Sequence, residues 1–237
     1  MRGKTGFAAR VKKVIMQTAE KKYKSTSPSI VYKTNSSGTG CLQISADAFG
    51  SFALSHNTIT KMQIIDNNAP QFGNQPLPLQ GDQDDQRNGD EIYSKGLRLR
   101  IQIENDANRH NNTYKLWLVE MNRAQGDCGV PSQFFHNMTG NNQLDPVQTD
   151  RWTASYLGKY RTMARDVAVD AKTNILINKW IPFKRKMTFN KDDVSAVAKG
   201  MKEQLWLVIV AYDSTNTLYD TNIGNFRLNS TLYYSDP

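Results

Sequence analysis

The sequence predicts an all-β fold preceded by a basic N-terminal arm. Two observations carry this prediction: the net charge is confined to the N-terminus, and the rest of the chain consists of short apolar runs between polar connections. Residues 1–33 hold nine Lys and Arg residues and one acid, a net charge of +8, whereas the remaining 204 residues hold 21 basic and 21 acidic residues. Charge segregated in this way suits a polyanionic partner, because phosphates are neutralised without base readout. We therefore divide the chain into an arm, 1–33, and a body, 34–237.

The arm contains a helical pattern. Phe7, Val11, Val14 and Ile15 recur at helical spacing with basic residues between them, which predicts a basic amphipathic helix over about residues 5–20. The alternative is an unstructured tail. Residues 24–40 are rich in Ser, Thr, Asn and Gly and predict a linker into the body. The candidate nucleic-acid contacts of the arm are its nine basic side chains, Arg2, Lys4, Arg10, Lys12, Lys13, Lys21, Lys22, Lys24 and Lys33.

The body is predicted to be a β-sandwich. Residues 97–104 alternate strictly between apolar and polar, which predicts a strand with one buried face. Residues 114–121 and 205–212 are more continuously apolar and predict strands covered on both faces. Shorter runs predict further strands at 42–45, 51–54, 61–65, 152–157, 162–169, 174–177, 182–189 and 226–234. About eight to ten strands with long polar connections predict a single jelly-roll domain at this length.

Composition excludes several classes of function. Two cysteines are too few for a disulfide scaffold and fit a reducing compartment. No stretch approaches the roughly 20 apolar residues of a membrane span, so we expect no membrane insertion. The sequence has no Walker-type phosphate loop and no dinucleotide fingerprint, and His56, His110 and His136 lack metal-ligand spacing. We therefore expect no cofactor.

One enzymatic alternative remains open. The turn Gly126-Asp127-Cys128-Gly129 resembles the nucleophile turn of chymotrypsin-like viral cysteine proteases. His56 precedes it as a candidate base, and the candidate orienting acids are Asp82, Asp85 and Asp90. Val130-Pro131 departs from the glycine expected after that turn, and the competing interpretation is a turn with a chance cysteine.

The acidic run at 81–85 places Asp82, Asp84 and Asp85 close together. These carboxylates suit calcium, but the run lacks the terminal glutamate of an EF-hand loop. A solvated acidic loop is therefore the favoured interpretation.

Basic residues also cluster outside the arm. Arg98 and Arg100 share the polar face of their predicted strand. A second cluster suits either a nucleic-acid-facing surface or a solvated edge, and consists of Lys179, Lys184, Arg185 and Lys186. The tryptophans mostly lie in strand-like runs and are predicted to be core rather than base-stacking residues: Trp117, Trp152, Trp180 and Trp206.

Several segments resemble the capsid proteins of small circular single-stranded DNA viruses. Residues 86–100 carry an Arg-x-Gly-acid-x-Ile turn that opens an alternating strand, and residues 19–24 resemble the junction between arm and shell. Residues 180–190 resemble a late paired-strand segment, and residues 204–212 a hydrophobic penultimate strand. The pair Tyr233-Tyr234 lies in an aromatic final strand. The resemblance thus covers most of the chain as an ordered pattern.

The resemblance implies a structural rather than an enzymatic protein. A jelly-roll subunit would assemble into an icosahedral shell, about sixty copies in the simplest case, with the arm inside on the genome. It implies location in the virion, and the basic pairs at 12–13 and 21–22 suit nuclear import. The arm is shorter and poorer in arginine than in circoviruses proper, which favours a relative outside that genus. Single-stranded DNA is favoured over RNA as the partner, and the residues identify no host attachment factor.

Overall fold

Thirteen β-strands in two antiparallel sheets make up the described part of this chain. The computed structural model describes residues 20–28, 30–34, 41–65, 77–81, 83–109, 111–122, 134–136, 139–148, 153–162, 173–189, 198–199, 203–214 and 221–236. Within these ranges, no helix has the length and apolar character needed to cross a bilayer.

Sheet 1 contains seven strands and sheet 2 contains six. The strands of sheet 1 are β1 (Glu20–Thr26), β4 (Phe52–Ser55), β6 (Glu91–Asn105), β9 (Asn174–Ile181), β10 (Lys186–Phe189), β11 (Ala198–Lys199) and β13 (Asn222–Asp236). The strands of sheet 2 are β2 (Ile30–Thr34), β3 (Cys41–Ser45), β5 (Ile59–Ile65), β7 (Asn112–Asn122), β8 (Thr153–Arg161) and β12 (Glu203–Asp213).

The strand order is that of a jelly roll. In sheet 1 the long strands β6 and β13 pair with each other; β1 and β4 line the free side of β13, and β9 and β10 line the free side of β6. In sheet 2 the order is β5-β12-β7-β8, with the β2–β3 hairpin added beside β5. The chain therefore crosses repeatedly between the two sheets, and its first described strand pairs with its last described strand. This topology confirms the predicted all-β jelly-roll sandwich.

The core lies between the two sheets. β6 contributes alternate residues to it, including Leu97, Leu99 and Ile101, while Arg98 and Arg100 lie on the opposite face. The alternation in residues 97–104 thus predicted the buried face of β6 correctly.

The central strands of sheet 2, β5, β12 and β7, are covered on both faces. On the side away from the main core, Trp117 and Trp206 pack in a second cluster with Phe134 and Phe135. This second layer explains why β7 and β12 are continuously apolar, as the sequence predicted.

The sandwich begins earlier than the predicted boundary at residue 33. β1 pairs with β13 over its whole length, and β2 pairs with β3 and β5, so Glu20–Thr26 and Ile30–Thr34 belong to the sheets rather than to the arm. The sequence missed β1 because three lysines within Glu20–Thr26 are typical of a solvated arm. The helix predicted over residues 5–20 lies outside the described residues, apart from Glu20 itself, which opens β1.

Other strand boundaries also differ from the predictions. The strand predicted at 182–189 is confined to β10, and residues 182–185 connect it to the longer β9. Thr162 follows the end of β8, and residues 163–169 of the predicted strand lie outside the described residues.

The two faces of β6 should respond differently to truncation. Leu99→Ala removes a fully buried side chain and should lower the free energy of unfolding by about 2–5 kcal/mol. Arg100→Ala, on the exposed face of the same strand, should change it by less than about 0.5 kcal/mol. Urea unfolding followed by tryptophan fluorescence measures both values, and comparable losses would contradict the assigned register.

Candidate nucleic-acid interface

The predicted nucleic-acid contacts fall into two groups. Lys21, Lys22, Lys24 and Lys33 lie in β1 and β2. The other five lie outside the described residues: Arg2, Lys4, Arg10, Lys12 and Lys13. Alternation along β1 sends neighbouring lysines to opposite sides of sheet 1, so they have different surroundings.

Lys22 is part of the protein interior. Its side chain is 3% exposed, and its Nζ donates hydrogen bonds to the backbone oxygen of Gln86 at 3.0 Å and to Asn88 Oδ1 at 3.3 Å. The buried Asp236 carboxylate lies 3.7 Å away and accepts a hydrogen bond from the Asn88 backbone N–H. These contacts give Lys22 a structural role, instead of the phosphate contact that the sequence predicted.

Two more predicted lysines have partners within the subunit. Lys24 forms an ion pair with Asp85, and Lys33 Nζ donates a hydrogen bond to Ser55 Oγ at 2.5 Å. Both side chains are half-buried. Of the four described lysines in the predicted set, the exposed Lys21 is therefore the best placed to meet a phosphate.

The outward face of sheet 1 is basic. Lys21 lies on β1 on the same side as the exposed Tyr23, and Arg98 and Arg100 point outward from β6. Arg227 is exposed opposite Gln102, on the same face of β13. The described acids of this face include Glu104, at the far end of β6, and Glu91, which forms an ion pair with Lys186.

A bulge adds a further amine near Lys21. Lys95 is the extra residue of β6 where the register with β13 shifts, between Ser94 and Gly96. Partial burial lowers the pKa of Lys95, and the nearby positive charge of Lys21 lowers it further. The two amines are thus close enough to repel each other. Together they form a concentration of positive charge at this end of the face.

An aromatic row crosses the same surface. The ring of Tyr233 lies 6.1 Å from that of Tyr23 and 5.2 Å from that of Trp180, measured between centroids. Tyr23 is 58% exposed and Trp180 is 53% exposed. The prediction that the tryptophans are core residues holds for Trp117 and Trp206, is wrong for Trp180, and is not addressed by the described residues for Trp152.

Gly96 makes the row possible. The Trp180 indole reaches across β6 directly over this glycine, where a Cβ would lie 2.1 Å from Cζ2 of the ring. A side chain on residue 96 would therefore displace Trp180 from its contact with Tyr233. The sequence offered a signal for this contact only in the glycine that interrupts an otherwise regular strand.

Arg87, in the segment that resembles viral capsid proteins, is fully buried. Its guanidinium lies 4.2 Å from the centroid of the Phe189 ring and donates a hydrogen bond to the backbone oxygen of Gly89 at 2.8 Å. Arg87 thus secures the turn that leads into β6 against β10.

Two of the four residues in the second basic cluster are paired with acids within the subunit. Arg185 forms a 2.8 Å ion pair with Glu120, and Lys186 forms a 2.7 Å ion pair with Glu91. The hydrogen bond from Lys186 to Glu91 raises the pKa of Lys186. These pairs favour the solvated-edge interpretation for these two residues.

The structure describes three of the protease candidates, His56, Asp85 and Asp90, and the backbone oxygen of Asp90 accepts a hydrogen bond from the Phe189 N–H at 2.7 Å. His56 is buried, its Nδ1 accepts a hydrogen bond from the backbone N–H of Asp213 at 3.0 Å, and its ring lies 4.6 Å from that of Tyr212. Asp85 is engaged by Lys24. Asp82 and Cys128 lie outside the described residues.

The acidic run is partly described. Asp85 faces Lys24, and the backbone of Gln83 closes a turn with Gln86. Among the described residues, which leave out Asp82, no group of three or more His, Cys, Asp or Glu side chains assembles as a metal site.

Comparison with known proteins gives one named structural neighbour. No protein-family model and no curated protein matches the sequence. The chain is similar to the unassembled KI polyomavirus VP1 pentamer, with 9% sequence identity and a TM-score of 0.26 over 93% of this chain and 95% of that one. The jelly-roll assignment therefore stands on the strand order itself.

Neighbouring lysines in β1 should have separable effects on stability. Lys22→Ala leaves the buried Asp236 carboxylate without its cation and should lower the free energy of unfolding by about 3–5 kcal/mol. Lys21→Ala, at the exposed neighbouring position, should change it by less than about 0.5 kcal/mol. Urea unfolding midpoints of the two variants would contradict the assignment if they shifted equally.

His56 should make stability depend on pH. Burial lowers its pKa in the folded chain, and the Asp213 charge only partly opposes this. Protonation therefore favours the unfolded chain. The stability that the folded chain gains by keeping His56 neutral is fully present above the ordinary histidine pKa of about 6.5. It declines as the pH falls below that value.

Urea midpoints between pH 8 and pH 5 measure this contribution. His56→Gln should make the decline below about pH 6.5 shallower than in the wild type. His136→Gln, at an exposed position, is the matched control and should keep the wild-type profile. Parallel profiles for wild type and His56→Gln would show that another group is responsible.

Proposed function

We propose that this chain is a structural viral capsid protein that assembles into an icosahedral shell and packages a single-stranded genome. The observation that carries the proposal is the placement of a segregated basic segment directly before β1 of a jelly-roll sandwich. The resemblance of residues 86–100 and 204–212 to capsid proteins of small circular single-stranded DNA viruses supports the same function and favours DNA. We also propose that the protein is located in the virion and that the shell assembles in the host nucleus.

Part of the N-terminal positive charge is engaged within the subunit, and the rest would serve packaging. Of the nine basic residues in 1–33, Lys22, Lys24 and Lys33 have partners within the subunit. The first 19 residues contain five basic residues and no acid. Each subunit would thus offer five arm charges, supplemented by the outward face of sheet 1, which carries Lys21, Lys95, Arg98, Arg100 and Arg227. Such contacts bind phosphates without sequence preference and weaken with salt.

Assembly is supported by apolar side chains on the surface. Phe49 is 80% exposed and Leu144 is 70% exposed, and Tyr156 projects from β8, an edge strand of sheet 2. Burial of such residues between copies would contribute to subunit association. A closed shell uses the same contacts on every copy, about sixty times in the simplest icosahedral arrangement.

Removal of the arm should separate packaging from assembly. Deletion of residues 1–19 removes five positive charges and leaves β1 intact, so spherical particles about 20 nm across should still form but contain much less nucleic acid. Negative-stain microscopy measures the particles, and the ratio of absorbance at 260 and 280 nm measures their nucleic acid.

Two controls accompany this deletion. A full-length variant with Arg2, Lys4, Arg10, Lys12 and Lys13 changed to Gln should match it, and its salt slope for single-stranded binding should fall by about 3–4. Deletion of residues 1–24 removes most of β1 and should lower the unfolding midpoint as well. A stable monomer at physiological salt would contradict the shell, and unchanged nucleic-acid content would contradict the packaging role.

A further inference from the structure

The aromatic row on sheet 1 has features that core packing does not require. Its two end members, Tyr23 and Trp180, are each more than half exposed, and both contact the half-buried Tyr233 between them. The three residues come from β1, β13 and β9, so three separate strands place their rings on one surface. Large aromatic rings held in this way offer π-faces to a ligand at little cost in conformational entropy.

The charges around the row are positive. Lys21 precedes Tyr23 by two residues on the same face of β1, and Lys95 lies at the bulge beside Gly96. Arg98 is opposite Trp180 in the strand register, and its Nε donates a hydrogen bond to Asn178 Oδ1 at 2.9 Å. Of the described acids on this face, Glu104 lies at the other end of β6, and Glu91 is held in a 2.7 Å ion pair with Lys186. An aromatic surface bordered by cations complements a ligand that has both flat rings and negative charges.

We propose that Tyr23, Tyr233 and Trp180 form a stacking surface for unpaired bases of single-stranded nucleic acid, with Lys21, Lys95 and Arg98 contacting the adjoining phosphates. This inference rests on the proposed packaging function and adds a second contact site to the arm. Bases in a duplex already stack on their neighbours, so the surface selects single strands. Every base has a π-face, so the selection is independent of sequence.

The spacing of the rings indicates where the bases lie. A base inserted between two rings needs about 7 Å, because each contact takes about 3.5 Å. The centroid distances of 5.2 and 6.1 Å are shorter than this. The bases therefore stack on the exposed sides of Tyr23 and Trp180, and Tyr233 supports both rings from within the row.

The experiment must also distinguish base stacking from a purely structural role of the aromatic row. An aromatic ring over a strand glycine stabilises a sheet, and Trp180 covers Gly96 in this way. Stabilisation alone predicts no difference between a nucleic acid with bases and one without them. The decisive probes are therefore a 15-nucleotide oligothymidine and an abasic phosphodiester chain of equal length, which share their phosphates.

Fluorescence anisotropy with the full-length chain in 0.5 M salt measures binding of both labelled probes. The wild type should bind oligothymidine about tenfold more tightly than the abasic chain. Trp180→Ala and Tyr233→Ala should each abolish most of this preference without changing affinity for the abasic chain. Trp180→Phe should retain part of it, and Lys21→Ala should weaken binding of both probes equally.

Leu176→Ala is the matched control. Leu176 is on β9 with Trp180, points to the same face and is 77% exposed, but it has no aromatic ring. It should keep the wild-type preference. Gly96→Ala tests the surface in a second way, because the added methyl displaces Trp180 while the indole itself is retained. Like Trp180→Ala, it should abolish most of the preference for oligothymidine.

The outcomes separate the two proposals. Equal affinity of the wild type for both probes overturns the stacking surface and leaves packaging by the arm intact, whereas binding to neither probe even at about 0.1 M salt counts against packaging itself. Photo-crosslinking of wild-type protein to bromouracil-substituted oligonucleotide tests the site without any variant. Crosslinks should fall on the peptides that contain residues 23, 180 or 233. Their loss on assembly would assign this face to a contact between subunits and overturn the proposal.

Discussion

The position of β13 between β1 and β6 is the constraint on which the rest of this structure depends. β13 pairs with β6 over most of its length on one side and with β1 and β4 on the other. Its inward face supplies Phe226, Leu228 and Leu232 to the core. Its outward face supplies Arg227 and Tyr233 to the basic surface. One strand thus orders both the hydrophobic interior and the surface that we assign to nucleic acid.

The same pairing decides which lysines serve structure and which remain accessible. Because β1 lies against β13, Lys22 is brought to the buried Asp236 at the end of the chain, while Lys21 is left on the outside. A buried ion pair of this kind is sustained by additional hydrogen bonds, here from Lys22 to Gln86 and Asn88. Neighbouring lysines that look equivalent in the sequence therefore lie on opposite faces of β1, one buried and one exposed.

Much of the fold could be predicted because burial leaves a periodic trace in sequence. Leu99 and Arg100 alternate because β6 has one covered face, and the continuous run through Trp206 reflects the second layer formed by Phe134 and Phe135. The candidate surface could be predicted only in part, since Arg98 and Arg100 follow from alternation within one strand. The stacking of Trp180 on Tyr233 depends on long-range register and on the missing side chain of Gly96, neither of which is a local pattern. β1 was missed because its lysines resemble a solvated tail until a partner strand is known.

Pairing of the first described strand with the last also has a consequence during synthesis. Glu20 is opposite Asp236, so β1 cannot pair within sheet 1 until β13 has left the ribosome. Contacts of such large sequence separation form slowly, and until then β1 has no partner and Tyr23 no contact with Tyr233. A prematurely terminated chain keeps its positive N-terminal segment but lacks the strand that organises the sandwich. Synthesis of β13 is thereby a condition for both the folded subunit and its aromatic surface.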